Sequence, residues 1–283
     1  MLWLFAAMIS SASIAVLFKA SDRMSAHRPV VVTANYLAAA VMSLLSFLSG
    51  EGSSGGIGWA VGAGVAGGVF YLLGFVFYQS AVPNCGVGIS SSVIKLGILI
   101  PLVVSVTVWG ENPPPLQWAG VALGLLALAA LGLPSPGARG RLSPVLLLLF
   151  VSGGLAEFSN KLFQKNAVPG TESLFLLSVF STAMLLSLPM LAHSGWRIDA
   201  KSAGVGLAIG VPNMLASRFL LAALGDLPAP VAFAAYGSGT ILVAGAAALA
   251  VFGEKPSRPA LVSMLLTALS LLLVNLAPAA VSG

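Results

Sequence analysis

Four ionisable side chains stand inside long apolar runs of this 283-residue chain: Lys95, Glu157, Lys161 and Arg218. Each costs about 2.5–3.5 kcal/mol on the translocon insertion scale, so each is a functional candidate by default. The densest polar run is GGLAEFSNKLFQK, Gly153 to Lys165. Gly153, Glu157, Asn160, Lys161 and Gln164 fall on one helical face, whereas Leu155, Phe158 and Leu162 fall on others. This stretch reads as an amphipathic helix whose polar stripe meets protein or a water-filled cavity.

Glu157 has two readings from spacing and depth. As a coupling or substrate-binding carboxylate its burial would suit it to proton exchange. As a structural group it would pair with Lys161 four residues on, the favourable order for a helical ion pair, or with Arg218 at a similar depth. Lys95 also has two. Its stem can snorkel to the nearby interface, or its ammonium can join Asn35, Tyr36 and Ser91 in a cluster suited to a carboxylate or phosphate. At that depth no acidic partner is expected. Asn213 beside Pro212, with Tyr71 and Tyr236, completes the candidate substrate-binding set. A proline within a membrane helix frees a carbonyl, which is tolerated where it lines a cavity. Glu157, Arg218 and Lys161 form the coupling or gating set. The three cations outnumber the one carboxylate, which favours an anionic or zwitterionic ligand.

The elements that must position these groups follow from composition. Mean hydropathy is +1.01, 58% of residues are hydrophobic and 7% charged, which indicates an all-α polytopic membrane protein. Turn residues and charges divide the chain into ten spans: 2–18, 30–49, 58–81, 88–109, 116–134, 143–164, 173–192, 203–224, 229–251 and 259–277. The N-terminal run reads as a retained helix rather than a signal peptide. One cysteine, Cys85, excludes an internal disulfide. The separated His27 and His193 make no metal-ligand spacing, and no hydrolase, zincin or phosphate-loop pattern occurs. Neither an enzyme nor a cofactor is expected. The net charge of +5 resides mostly in short loops, so it reports orientation in the bilayer rather than nucleic-acid binding.

The halves look like copies. VWGENPPPLQWAG closes the fourth span and opens the fifth; VFGEKPSRPALVS does the same for the ninth and tenth. Glu111 and Glu254 are thus 143 positions apart (254 − 111). An odd number of helices per copy inverts the second, giving repeats over 1–136 and 137–283 and placing a substrate site near the midplane between them.

The hairpin G-E-x-P followed by a small-residue helix, once per half, resembles the drug/metabolite transporter superfamily in its ten-helix EamA-type branch, over nearly the whole chain. That resemblance implies an inner-membrane carrier without ATP hydrolysis, with its cavity lined by the first four helices of each half. LAE-x7-K at 155–165 also resembles the first helix of the small multidrug resistance transporters, which implies a cation- and proton-binding role for Glu157; Ser11 takes the matching place in the first half. Lys and Arg crowd the loops after spans 1, 5, 7 and 9, which puts those loops in the cytoplasm and both termini outside. The reading is therefore a secondary transporter for a small anionic or zwitterionic metabolite, monomeric or homodimeric, with a possible coupling proton or sodium ion. Proton-coupled efflux of lipophilic cations through Glu157 and a lipid-handling role are the alternatives.

Overall fold

The computed structural model describes residues 1–50, 55–85, 87–131, 144–253 and 258–276. It is helical throughout these segments: α1 (Leu2–Arg23), α2 (Arg28–Ser49), α3 (Ile57–Cys85), α4 (Val87–Leu96), α5 (Leu99–Thr107), α6 (Pro115–Leu131), α7 (Pro144–Lys165), α8 (Glu172–His193), α9 (Ala200–Asp226), α10 (Ala229–Phe252) and α11 (Arg258–Leu276). Helices satisfy every backbone group locally, which a hydrocarbon solvent demands. Among the described residues, seven helices are long and apolar enough to cross a membrane, and Ser92–Thr107, Pro115–Ala130 and Arg258–Val274 are shorter apolar stretches.

Burial runs opposite to that of a water-soluble bundle. Leu44, Leu45 and Leu48 of α2 face outward, while Asn35 and Ser43 of the same helix are buried. Ser152, Asn160, Lys161 and Ser217 are buried as well. A chain of this kind exposes hydrocarbon to lipid and turns its polar groups towards other helices. The protein is a multi-pass membrane protein.

The fourth predicted span, 88–109, is not one helix. It breaks at Gly97 and Ile98 into α4 and α5. Pro101 supplies the cause: it has no N–H to bond the Gly97 carbonyl, and its ring crowds that carbonyl. The chain instead makes tighter i to i+3 bonds, Ile98 N to Lys95 O at 3.2 Å and Ile100 N to Gly97 O at 2.9 Å. By contrast, α9 passes through Pro212 as one helix.

Packing brings the two halves together repeatedly. α2 lies against α8 and α9, α3 against α7 and α8, and α1 against α9 and α10. α4 and α5 pack on α7, while α6 pairs with α11. Gly64 and Gly68 let α3 approach α8 closely, and Gly206 and Gly210 do the same for α9 on α2. At one end of the bundle the α1–α2 turn meets the start of α9: Ser202 Oγ accepts from His27 N at 2.7 Å, and Lys201 Nζ donates to Met24 O at 2.7 Å. Asp199 caps that helix by accepting from Ser202 N at 2.8 Å; hydrogen bonds from the Ser202 hydroxyl first, and from its N–H second, hold the carboxyl below the usual range.

The break and the Gly153–Gly154 pair fit each other. A Cβ on Gly154 would stand 2.6 Å from the Gly97 carbonyl oxygen, and one on Gly97 would stand 2.6 Å from Gly154 N. Backbone faces backbone here, and at Gly154 the Ile100 side chain crowds the same space. Gly154→Ala is therefore expected to lower stability by about 1–3 kcal/mol, the usual cost of overpacking, read as a lower melting temperature in detergent.

Candidate functional site

A cavity of about 140 Å³ lies between the helices, lined by Tyr71 and Gly74 of α3, Lys95 of α4, Gly153 and Glu157 of α7, and Tyr236 of α10, among others. Each position follows from a local cause. The break after Leu96 ends α4 beside α7, so Lys95 occupies its last turn. Gly153 permits that approach, since a Cβ there would meet the Ile94 carbonyl oxygen at 2.9 Å. The helical stripe that begins at Gly153 then carries Glu157 to the same wall.

Lys95 and Glu157 thus share one cavity and interact electrostatically. This corrects the expectation that Lys95 has no acidic residue at its level. Each stands eight residues from its helix end, about 12 Å by the helical rise, but from opposite faces. In a hydrocarbon core of about 30 Å those depths nearly meet, and the side chains close the difference. Lys95 Nζ lies 5.2 Å from the centre of the Tyr236 ring, within cation–π range. Ser11 hydrogen-bonds the Tyr236 phenol, so the residue at Glu157's matching place also reaches this region.

A part-buried polar network holds Glu157. Its Oε2 accepts from Asn160 Nδ2 at 3.1 Å, and the same amide donates to the Tyr71 hydroxyl at 3.3 Å. That hydroxyl lies 3.4 Å from Ser217 Oγ. Tyr71 also packs edge-on against Phe180, with ring centres 6.2 Å apart. Asn160 Oδ1 is a buried acceptor with no partner among the described residues. A carboxylate beside such an acceptor suits a ligand with several N–H donors.

The remaining predicted residues do not gather around Lys95. Asn35 Oδ1 accepts from Asn213 Nδ2 at 3.1 Å, so these two amides form a link between α2 and α9. Neither borders the cavity, nor does Tyr36, whose hydroxyl donates to the Tyr71 carbonyl at 3.5 Å. The Lys95–Asn35–Tyr36 cluster is therefore not formed; similar depth placed these groups on one level, but helix rotation separated them. Ser91 lies on α4 with its side chain outside the described residues. Replacing both Asn35 and Asn213 with leucine is expected to change stability by about 0.6 kcal/mol, the mean of such bonds in membranes, and to leave transport intact. Uptake and melting curves of the double variant check this.

Neither structural partner foreseen for Glu157 is used. Lys161 Nζ lies 2.7 Å from Glu111 Oε1 and donates to Gln164 Oε1 at 3.2 Å. Arg218 is exposed on the outer side of α9, one residue past the inward-facing Ser217. A step of one residue turns a helix by about 100°, enough to reverse the environment at unchanged depth. Glu111 is the group that sequence reasoning undervalued. It had served only as a repeat marker, although a carboxylate at the edge of a chain this poor in charge was a signal in itself. Glu254, its counterpart, lies outside the described residues.

Comparison with known proteins gives a fold and a family likeness over the first half. A solved crystal structure superposes with a TM-score of 0.73 over 97% of each chain at 18% identity, so the whole helical arrangement is an established one. No curated protein matches. Residues 1–133 match the EamA-like transporter family. The chain is thus a polytopic membrane protein whose first half is similar to the EamA-like transporter family of the drug/metabolite transporter superfamily.

Proposed function

We propose that this protein is a secondary transporter that moves a small zwitterionic metabolite by alternating access. The observation that carries the reading is the meeting of Lys95 and Glu157 in one small cavity. The cation total that favoured an anionic or zwitterionic ligand changes once Lys161 is neutralised by Glu111 and Arg218 faces outward. What remains at the cavity is one ammonium and one carboxylate. A ligand with both charges compensates both, with its carboxylate at Lys95 and its ammonium at Glu157 and Asn160. A cavity of about 140 Å³ suits a small metabolite over a bulky lipophilic cation. Lys95 also repels such a cation, more strongly in low dielectric than in water.

The halves 1–136 and 137–283 serve as inverted repeats in this mechanism. Support comes from matched packing: α1 on α9 and α10 is answered by α7 on α3 and on α4 with α5. In this reading, rocking of one repeat on the other alternates access, and Glu157 couples transport to a proton. The cytoplasmic membrane with both termini outside remains the preferred setting, from the Lys and Arg distribution. The reading predicts transport, not catalysis.

A thermal-shift panel tests it. Purified protein is heated with an amino acid series, their des-amino analogues and quaternary amines. A ligand at 100 times its Kd adds about 2.7 kcal/mol to the folded state. Zwitterions are expected to stabilise most; greatest stabilisation by quaternary amines would reverse the assignment to cation efflux.

A further inference from the structure

Away from the cavity, three elements converge at the end of the bundle where α7 finishes and α10 begins. The connection between α5 and α6 crosses there and carries Glu111. One carboxylate oxygen pairs with Lys161 Nζ at 2.7 Å, and the other accepts from Ala229 N, the first residue of α10, at 2.6 Å. Trp109 of the same connection stacks on Phe158 of α7, with ring centres 6.0 Å apart and planes 10° from parallel. Glu111 N donates to Ser105 O at 3.0 Å, which ties the carboxylate's own backbone to α5.

The two helices gripped by Glu111 are those that bring Glu157 and Tyr236 to the cavity. Lys161 stands one turn beyond Glu157, and Ala229 two turns before Tyr236. A single carboxylate from the first half thus fastens two cavity walls from the second. The helix N-terminus and the ammonium both attract the carboxylate, so the three groups hold one another in place. Exposure suits a reversible contact. Lys161 is 3% exposed and Glu111 17%, so water reaches the carboxylate's edge and can solvate the charges on separation. The alignment that sets Ser11 against Glu157 sets Ala15 against Lys161, so the first half has no cation at the equivalent place.

Resting on the alternating-access reading above, we propose that Glu111 is a one-sided latch: its bonds to Lys161 and to the start of α10 hold this end of the cavity closed, and their release opens it.

The test measures access to the cavity from each side of the membrane. In a Cys85→Ser background, Ala156→Cys places a reporter thiol on the cavity wall, and a membrane-impermeant maleimide is applied to either face of oriented vesicles. Lys161→Met removes the ion pair and leaves the Ala229 cap, while Glu111→Gln removes the charge and keeps an acceptor. Both are expected to raise labelling from the Glu111 face at least severalfold, with labelling from the other face unchanged or lower. Labelling equal to the parent on the Glu111 face, in folded protein, overturns the latch. A second measurement covers variants that fail to fold: Glu111→Cys with Lys161→Cys, joined by a short bis-maleimide, is expected to stop transport, and undiminished transport by the joined protein likewise overturns it. Raised labelling in a protein that carries no solute would leave the latch standing and remove the transport reading. Normal transport with unchanged labelling would do the reverse.

Discussion

Lys95→Ala is expected to lose substrate binding and transport together while the protein still folds. Lys95 is the cation at the cavity, and its ammonium lies against the Tyr236 ring rather than in a short ion pair. Without it, a bound carboxylate meets Glu157 with no opposing charge. Truncating one partner of a desolvated charge pair costs about 2–5 kcal/mol, so affinity should fall about thirtyfold or more. The folding cost is smaller, since a cation–π contact is worth about 0.5–2 kcal/mol. Lys95→Arg keeps the charge but replaces a compact ammonium with a planar fork, and should bind more weakly than the parent. Calorimetric titration and uptake into proteoliposomes measure both effects. Uptake at the parent rate by Lys95→Ala would remove Lys95 from the site.

Glu157→Gln should be equally damaging for a zwitterion but not for its des-amino analogue. The amide preserves shape and still offers Asn160 Nδ2 an acceptor, so the link to Tyr71 is retained. What disappears is the negative charge that faces the ligand's ammonium, again a loss of about 2–5 kcal/mol. The des-amino analogue makes no use of that charge and meets a cavity now net positive, so its binding should hold or improve. The two variants therefore shift ligand preference in opposite directions, a result that a merely structural Glu157 does not produce. Equal loss of both ligands, accompanied by a fall in melting temperature, would assign Glu157 to the framework.

Much of the architecture was legible before any coordinates. Apolar runs of membrane length are set by composition and need no partner, so most helix positions followed directly. The fourth span reads as continuous because Pro101 sits within an unbroken apolar run, although it withdraws the bond that Gly97 would have accepted. The stripe Gly153–Glu157–Asn160 was also readable, since helical periodicity fixes which residues share a face. Its glycine had been counted with the polar face, but its use is to admit α4.

The partners were not legible, and the reason is geometric. Sequence gives a residue's depth along its helix to within a turn, yet the angle about the axis depends on how that helix packs. Depth alone set Glu157 with Arg218, and Lys95 with Asn35; rotation placed Arg218 outward and gave Asn35 to Asn213. Only the folded bundle brought Lys95 to Glu157 from opposite faces and Lys161 to a carboxylate fifty positions earlier. By itself, then, the chain dictated its solvent, its helices and which of their faces carry polar groups, because hydrophobicity and helical period act locally. Which charges meet was decided in three dimensions, because a pairing energy belongs to two helices whose relative turn no single segment encodes.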